Sequence, residues 1–577
     1  MMNNSTLKKV LNLIRRYRFA LSASILLAIA AVVIQLYVPI LFGEAIDFIS
    51  GAGRVEMNEV VKVLSLTLVL IAGSSLLNYF SSILNNHISY KVVEELRKKA
   101  MDKIQILPLS YLDRHSSGDI SSRVIVDCEQ IADGLLLGFS SLFTGIITIL
   151  VTLYFMMSKD LTITLMIVVL TPLSFLVSKF IASRSYNMFS SQNKSRGKLN
   201  GLVNELINNE KIIKAFGYEQ RANERFRMIN DELQGYSRLA VFYSSLTNPS
   251  TRAVNNVIYA LVALVSSFKI LGGTLSVGGM SVLLSYASQY MKPFNDISSV
   301  VTEFQNSLSC AERVFELIEA DPQSPDGEKK LIVDKGNIRI ENVFFSYEKG
   351  QRLIEDFNFE VKGGETVAIV GPTGCGKTTL INLLMRFYDT DSGVITVEDT
   401  PINELTRHSL RDNYGMVLQD TWIRNDTIRN NICFGSDVSD EEIITAARNT
   451  HAYDFIKRMD HGLDTMIDEN SLSQGQKQLL CITRAMLSKP KMLILDEATS
   501  NIDTRTEIYI QKAFNELMKD KTSFIVAHRL STIRNADKII VMKDGHIIET
   551  GNHEELLKLK GFYYELYNSQ FARIEQE

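Results

Sequence analysis

Residues 365–387 have the sequence "ETVAIVGPTGCGKTTLINLLMRF", in which an apolar run leads directly into a glycine-rich segment. The run predicts a buried strand, and the apolar periodicity after it predicts an amphipathic helix. Between them, Gly371, Gly376, Lys377 and Thr378 match the pattern G-x4-G-K-[ST]. In that pattern backbone N–H groups face phosphate oxygens, the lysine reaches the β- and γ-phosphates, and the threonine hydroxyl serves Mg²⁺. The stretch therefore predicts an α/β nucleotide-binding domain.

Three later strands are predicted to end in residues that complete such a site. In "KMLILDEATSNID" (491–503), Asp496 can hold Mg²⁺ through water, and Glu497 can polarise the water that attacks the γ-phosphate. A solvated loop charge is the alternative role for Glu497. His528 ends "TSFIVAH" and can bond the γ-phosphate, although a lone histidine is more often structural. Gln419 ends "GMVLQ", and its amide can contact both Mg²⁺ and the attacking water.

The composition divides the chain into two halves. Of its 577 residues 46% are hydrophobic and 22% are charged, and the net charge of −4 indicates no nucleic-acid partner. Residues 1–300 hold long apolar runs with little charge, whereas residues 337–577 have the composition of a soluble α/β domain. The five cysteines have no metal-ligand or disulfide spacing, which fits a reducing compartment around the soluble half.

Six apolar segments in the first half are long enough to cross a bilayer. A buried helix of a soluble protein is the alternative, but such helices rarely lack a charge for as long as "ALSASILLAIAAVVIQLYVPILF" does. The third and fourth segments are joined by only "SKD", which predicts a tight hairpin. The predicted spans centre on 19–42, 60–84, 135–157, 161–182, 253–272 and 276–298.

The positions of Lys and Arg predict the orientation of these spans. Five of these residues lie between positions 8 and 18 and place the N-terminus in the cytoplasm. Six crossings then return the chain to the cytoplasm near residue 300. The inner connections, 85–134 and 183–250, are long enough for the spanning helices to continue into the cytoplasm. Residues 4–16 also predict a helix on the inner membrane surface, because apolar residues recur there at helical spacing: Leu7, Val10, Leu11 and Ile14.

The stretch "LSQGQ" (472–476) is a second glycine-containing turn that opens a predicted helix. Such turns expose backbone N–H groups and bind anions. With Tyr347, "GPTGCGKTT", Gln419, "LILDEATSNID" and "IVAHR", in that order, it resembles the ATP-binding cassette of ABC transporters, whose signature motif it matches. In that family two cassettes face each other head to tail, and each signature loop binds the ATP of the opposite cassette. The resemblance implies that Ser473 and Gly475 serve a partner's nucleotide.

The resemblance also implies ATP as the nucleotide, Mg²⁺ as the metal ion, and a role for each matching residue. The implied catalytic residues are Glu497, His528 and Gln419, and the implied metal ligands are Thr378, Gln419 and Asp496. Tyr347 would stack on the adenine. The implied ATP-binding residues are Tyr347, Gly371, Pro372, Thr373, Gly374, Cys375, Gly376, Lys377, Thr378 and Thr379. The signature comprises Leu472, Ser473, Gln474, Gly475 and Gln476, and Ser500 and Asp503 represent the D-loop.

Six spans followed by one cassette resemble the exporter-type (type IV) ABC half-transporters, which include multidrug and lipid pumps. The implied domains are a helical transmembrane domain (1–318), a linker (319–335) and an α/β nucleotide-binding domain (336–577). Coupling helices, which dock on the cassettes in the family, would lie near 111–120 and 213–222. The C-terminal segment is similar to the catalytically complete subunit of bacterial heterodimeric multidrug exporters. That similarity implies a bacterial plasma membrane, a second half-transporter as partner and a small amphipathic substrate.

Two features depart from the family pattern. Gln474 stands where glycine is commonest, and the segment between Glu469 and the signature is about two residues shorter than usual. Three other functions are alternatives for such a chain. The six apolar segments argue against a non-transporting ATPase, and the retention of Glu497 and His528 argues against an ATP-switched membrane regulator. An importer built on the exporter fold stays open, because sequence does not set direction.

Polar residues at membrane depth are the candidates for a substrate cavity, since polar groups inside spans usually face the bundle interior. Hydrogen bonding between helices is the alternative role for each of them. Arg252, near the inner end of the fifth span, can also extend its charge to the interface. The candidates are Gln35, Tyr37, Asn78, Tyr79, Arg252, Asn255, Asn256, Tyr259, Tyr286, Gln289 and Tyr290.

Overall fold

The structure is a computed structural model and describes residues 4–49, 55–348, 350–351, 353–418, 421–496, 502–526 and 533–570. The chain forms two compact units. The first comprises Met1–Gln105 and Ser117–Ala320, and the second comprises Ile106–Ser116 and Asp321–Glu577. The chain therefore leaves the first unit once before its end, for the eleven residues 106–116, and returns to it.

The first unit is helical, because its long apolar runs contain few residues that break a helix. Asp160 caps the helix Leu161–Asn208, because its side chain accepts a hydrogen bond from the Ile163 N–H, and the preceding helix ends at Lys159, so the predicted "SKD" hairpin is present. Two π-helical turns, Arg123–Asp127 and Gly138–Phe143, lie within the third helical stretch. The helices of the first half are α1 Asn4–Ile14, α2 Arg18–Ile49, α3 Met57–Ile106, α4 Leu109–Arg114, α5 Ser117–Ser122, α6 Cys128–Leu137, α7 Thr144–Lys159, α8 Leu161–Asn208, α9 Glu210–Ala215, α10 Glu219–Leu271 and α11 Val277–Glu319.

All six predicted spans fall within helices. Four helical stretches in the described chain are long and apolar enough to cross a membrane: Ser5–Ile49, Met57–Ile106, Ser117–Lys159 and Glu219–Leu271. The other two predicted spans lie in α8, which contributes the shorter apolar helix Leu161–Leu173, and in α11.

Helix α1 confirms the helix predicted at 4–16. The prediction that its apolar face lies on the membrane surface is wrong for Val10 and Ile14. Val10 and Ile14 are buried within the unit, in a core shared with Ile88 of α3 and Val314 of α11, whereas Leu11 is exposed. Part of the face therefore packs on protein. Apolar periodicity marks a face that leaves water, and it cannot distinguish lipid from a neighbouring helix.

The second unit contains a six-stranded sheet of order β12-β11-β3-β10-β9-β6 and a four-stranded antiparallel sheet of order β2-β1-β4-β5. Strands β6, β9, β10, β3 and β11 are parallel, and β12 is antiparallel. The strands are β1 Ile338–Phe345, β2 Ile354–Val361, β3 Thr366–Val370, β4 Ser392–Val397, β5 Thr400–Pro401, β6 Tyr414–Val417, β7 Asp426–Thr427, β8 Met466–Ile467, β9 Met492–Asp496, β10 Thr522–Val526, β11 Lys538–Lys543 and β12 His546–Gly551.

Two apolar cores cover the six-stranded sheet. One core joins the six-stranded sheet to the four-stranded sheet and to the helix Lys377–Leu384. The other core joins it to the helix Gln474–Leu487, which contains most of the signature, and to neighbouring helices. Strands of parallel sheets that are covered on both faces are buried along nearly their whole length, as β9 and β10 are. The helices of this unit are α12 Lys377–Leu384, α13 Arg407–Asp412, α14 Ile428–Cys433, α15 Asp440–Asn449, α16 Tyr453–Ile456, α17 Gln474–Leu487, α18 Thr504–Met518, α19 His553–Leu559 and α20 Phe562–Gln570.

Short helices are present in both connections that were predicted to be cytoplasmic, and they lie earlier in the chain than expected. The first, predicted near 111–120, is α4 at Leu109–Arg114, and Ser117 already begins α5. The second, predicted near 213–222, is α9 at Glu210–Ala215. Pro108 precedes α4 with extended backbone, which sets the start of that helix, because proline has no N–H for a helical bond.

Candidate active site

The glycine-rich loop lies between β3 and α12, as the sequence predicts. Lys377 is nearly buried, and its ammonium group donates hydrogen bonds to the carbonyl oxygens of Gly371 (2.8 Å) and Pro372 (3.0 Å). A lysine ammonium has three donors, and these two bonds hold it inside the curl of the loop. Burial raises the pKa of the Cys375 thiol, so this loop cysteine stays protonated at neutral pH.

Two glycines of the loop are required by its geometry. A Cβ at Gly371 would lie 2.2 Å from the backbone oxygen of Met542, so any side chain there would displace β11. Gly376 has φ of 104°, a conformation that other residues rarely adopt. The loop can thus pass close to the sheet and turn sharply before α12 begins. Such a turn followed by a helix N-terminus forms an anion cradle.

Thr378 and Asp496 offer the oxygen donors that Mg²⁺ prefers. Thr378 is exposed in the first turn of α12, and Asp496 is the last residue of β9. Among the described residues no group of three or more His, Cys, Asp or Glu side chains could hold a metal ion. One hydroxyl and one carboxylate fit a magnesium ion that takes its remaining ligands from phosphate and water. The donor set therefore fits a metal that arrives with a nucleotide.

The carboxyl ends of four parallel strands meet at one edge of the six-stranded sheet. Val526 of β10 pairs with both Ile369 of β3 and Asp496 of β9, and Leu495 pairs with Val417 of β6. The glycine-rich loop leaves this edge directly after Val370. Ligands of open α/β sheets bind at such an edge, formed here by the carboxyl ends of β3, β6, β9 and β10 and termed the nucleotide edge.

Four predicted site residues follow these strand ends within one to four positions but lie outside the described residues. They are Gln419, Glu497, Ser500 and His528. The strands that lead to Gln419, Glu497 and His528 end at the nucleotide edge, which is where the sequence argument requires their C-termini to lie. Their roles stay predictions.

Tyr347 is held by helix α12. Its hydroxyl donates to Thr379 Oγ1 (3.3 Å) and accepts a hydrogen bond from Asn382 Nδ2 (3.1 Å). Tyr347 is 39% exposed, which leaves surface for a stacking partner. Sequence reasoning missed Asn382; its position three residues after Thr379, on the same helix face, was the available signal.

The signature motif forms a capped helix N-terminus. Ser473 Oγ accepts the N–H of Gln476 (3.3 Å), and Gln476 Oε1 accepts the N–H of Ser473 (2.9 Å), which together form a capping box on α17. A hydroxyl that accepts a bond keeps its own proton for donation, so Ser473 can still donate to an anion. The N-terminal end of α17 carries partial positive charge, which also favours an anion.

Gly475 has a packing role that the sequence argument did not include. A Cβ there would lie 2.4 Å from Thr506 Cγ2 and 3.2 Å from Ile502 Cγ2. The start of α17 therefore approaches the start of α18 more closely than any side chain permits. Leu472, next to this contact, is buried, whereas Gln474 is exposed and donates to Thr421 Oγ1 (3.3 Å).

Asp503, predicted as a D-loop residue, caps helix α18, because its Oδ1 accepts the N–H of Thr506 (3.0 Å). The shortened segment before the signature is a tight turn. Asp468 Oδ1 there accepts the N–H of Asn470 (2.9 Å) and the hydroxyl of Ser471 (2.5 Å). Local side-chain bonds thus close the turn with fewer residues.

The membrane candidates do not share one environment. Tyr286 is fully buried in the helix core of the first unit, and its hydroxyl donates to the Leu36 carbonyl oxygen (2.6 Å), so it joins α11 to α2. Tyr290 is also buried, and Gln289 donates to Ser285 Oγ (3.2 Å) on its own helix. Exposed candidates within the first unit are Gln35, Tyr37, Tyr79, Arg252, Asn256 and Tyr259, and Asn78 and Asn255 are half-buried.

Comparison with known proteins supports the division of this chain into a membrane domain and an ATP-binding cassette. The family model described as the ABC transporter transmembrane region matches residues 21–294, and the family model described as ABC transporter matches residues 354–500. A fatty acid ABC transporter ATP-binding/permease protein of Mycobacterium bovis is 39% identical over 91% of this chain and 83% of its own length. A putative multidrug export ATP-binding/permease protein of Bacillus subtilis is 33% identical over 98% of this chain and 99% of its own.

The fold matches that of a solved transporter as well. The structure of a bacterial Atm1-family ABC exporter with ATP bound superimposes with a TM-score of 0.79, at 26% identity, over 96% of this chain and 98% of that one. The family models and this superposition thus cover both halves of the chain, including the glycine-rich loop and the signature. The chain belongs to the ABC transporter family, as a multi-pass membrane exporter whose ATP-binding domain couples ATP hydrolysis to transport.

Proposed function

We propose that this protein is one half of an ATP-driven exporter of small amphipathic or hydrophobic compounds, a class that includes drugs, lipids and peptides. The observation that carries the proposal is the nucleotide edge: the glycine-rich loop, Thr378 and Asp496 lie on or beside parallel strands whose carboxyl ends meet. The substrate class rests on the relatives, one named for fatty acids and one for multidrug export.

At this edge Lys377 and Thr378 would bind the β- and γ-phosphates and Mg²⁺, and Tyr347 would stack on the adenine. Glu497 would polarise water, while Gln419 and His528 would contact the metal ion and the γ-phosphate. Closure of two cassettes around ATP would then drive alternating access. The capped N-terminus of α17 supports this pairing, because Ser473 keeps a proton for a partner's phosphate.

We place the N-terminus, both long loops and the cassette in the cytoplasm, in a bacterial plasma membrane. The Lys and Arg residues before the first span support this orientation. For the partner we propose a second half-transporter, with a heterodimer favoured over a homodimer. This preference rests on the resemblance of the C-terminal segment alone.

A transport assay with the purified complex tests the function and its direction. The complex would be reconstituted into vesicles and its ATPase measured across a panel of lipids, fatty acids and cationic drugs. Uptake of a stimulating, labelled compound would then be followed with ATP outside, where only inside-out molecules are energised. Accumulation inside the vesicles is expected for an exporter. ATP-dependent loss of preloaded compound from the vesicles would make the protein an importer. An ATPase rate that no compound class changes would contradict the proposed substrate class.

A further inference from the structure

A cluster of three aromatic rings surrounds the residue proposed to hold adenine. The ring of Tyr388 lies edge-to-face against that of Tyr347, with centroids 4.9 Å apart, and against that of Phe345 at 5.7 Å. Tyr388 follows α12, the helix that also bonds the Tyr347 hydroxyl. Tyr347 is therefore positioned from two directions, by its hydroxyl and by its ring.

Tyr388 is also bonded to the loop segment that the chain contributes from its first half. Its hydroxyl donates to the Asp113 carboxylate in α4. Burial, with the bond to Asp113, raises the pKa of Tyr388, so its phenol keeps the proton it donates. The next residue, Arg114, donates from Nη2 to the backbone oxygen of Tyr347 (3.3 Å). Two consecutive residues of α4 thus contact the aromatic cluster.

The chain segment that carries Tyr388 is anchored on its other side. Arg386 is buried and donates to Asp389 Oδ1 (3.1 Å) and to the carbonyl oxygens of Ile402 (3.1 Å) and Leu405 (3.0 Å). The side chains on either side of Tyr388 are thereby fixed to the body of the cassette. If Asp113 moved, the Tyr388 side chain and the Tyr347 ring packed against it would therefore move, because the backbone beside Tyr388 is held in place.

We propose that the Tyr388–Asp113 hydrogen bond makes adenine binding at Tyr347 depend on the position of the first cytoplasmic loop, so that Tyr388 and Asp113 are positioning residues for ATP. Residues 106–116 connect α3 to α5, so any movement of those helices reaches α4 along the chain. Coupling of two sites is reciprocal, so under this proposal ATP binding favours one position of α4, and a change in α4 alters ATP affinity. The inference rests on the proposed contact between Tyr347 and adenine.

The test compares two ligands that share the phosphate loop but not the base. Full-length complex carrying Asp113→Ala, Tyr388→Phe, both changes, or Tyr347→Ala would be titrated with ATP and with inorganic triphosphate. Tyr388→Phe keeps the ring and removes only the donor. Asp399→Asn is the matched control, because Asp399 is an exposed carboxylate in the β4–β5 turn with φ of 58°, which asparagine tolerates.

Asp113→Ala and Tyr388→Phe are each expected to weaken ATP binding by about twofold to tenfold, the size of one net hydrogen bond. The double variant should be no weaker than either single variant, since both remove the same bond. Binding of inorganic triphosphate should not change, and Asp399→Asn should bind both ligands as the unaltered protein does. A general loss of folding would weaken both ligands equally, so the comparison separates positioning from stability.

Unchanged ATP binding in both single variants, additive effects, or equal losses for ATP and triphosphate would each overturn the inference. The Tyr347→Ala variant distinguishes a failure of this inference from a failure of the proposed function. If Tyr347→Ala leaves ATP binding unchanged, the adenine contact itself is wrong, and the inference fails with it. If Tyr347→Ala weakens ATP while Asp113→Ala does not, the adenine contact stands and only the coupling fails.

Discussion

Glu497 follows the last residue of β9 directly, and its proposed role makes a sharp prediction at the scale of one residue. Glu497→Gln should leave ATP binding intact and reduce hydrolysis at this site by about 10²–10⁴-fold, because the isosteric amide cannot act as a base. Steady-state ATPase and nucleotide binding would be measured together. Glu554→Gln, on the exposed first turn of α19, is the control and should not change either quantity. Turnover within about threefold of the unaltered protein, far less than a general base contributes, would remove this role from Glu497.

Tyr347 makes a second prediction at the same scale. Tyr347→Ala should weaken ATP binding by roughly 1–3 kcal/mol, the contribution of one aromatic stack on a base, and leave the catalytic rate at saturation nearly unchanged. Tyr347→Phe should be close to neutral for affinity, since the ring is kept and only the hydroxyl bonds to Thr379 and Asn382 are lost. The split between KM and kcat for ATP checks both variants. Unchanged affinity in both would make Tyr347 a surface residue of the strand end.

At the scale of elements, the contact between α17 and α18 predicts that Gly475 has a structural function in addition to its signature role. Gly475→Ala should lower the stability of the cassette by about 1–3 kcal/mol, because the new Cβ overlaps Thr506 Cγ2 and β-branched threonine cannot easily rotate away. The thermal unfolding midpoint of the full-length protein would show the loss.

A compensating change makes this prediction specific. Thr506→Ser removes the methyl group and keeps the hydroxyl, so the double variant Gly475→Ala, Thr506→Ser should regain much of the lost stability. Thr506→Ser alone should change the midpoint little. If the double variant is no more stable than Gly475→Ala, the close approach of the two helices is not what requires glycine at this position.

At the scale of the whole molecule, the two dimer models give different results for one substitution. In a homodimer, Ser473→Arg should abolish ATP hydrolysis, because the bulky cation would block both ATP sites. In a heterodimer with a partner that lacks the catalytic glutamate, the same change damages only the slow site, and hydrolysis should survive in part. Ser436→Arg in an exposed turn is the matched control. A chain that forms an active dimer when expressed alone would end the heterodimer proposal.

Much of this protein could be predicted because its signals are local. The phosphate loop, the strand before it and the helix after it are contiguous in the sequence, so their pattern fixes strand, loop and helix together. The helices that carry the six predicted spans are likewise marked by length and apolarity alone. The bounds predicted for the short helices α4 and α9 were less accurate, since little periodicity marks the ends of such short helices.

The sequence by itself determined the helical and α/β domains, the glycine-rich loop between its strand and helix, and the order of the motifs, because each depends on residues that are neighbours in the chain. The tertiary structure decided which distant residues meet. Tyr388 and Asp113 are 275 residues apart, and Tyr286 and Leu36 are 250 apart, yet each pair shares a hydrogen bond. It also decided that Gly475 must lack a side chain for packing and that Val10 and Ile14 face protein. A single sequence shows which groups must leave water or find a partner, whereas the partner is chosen by how the helices and sheets pack.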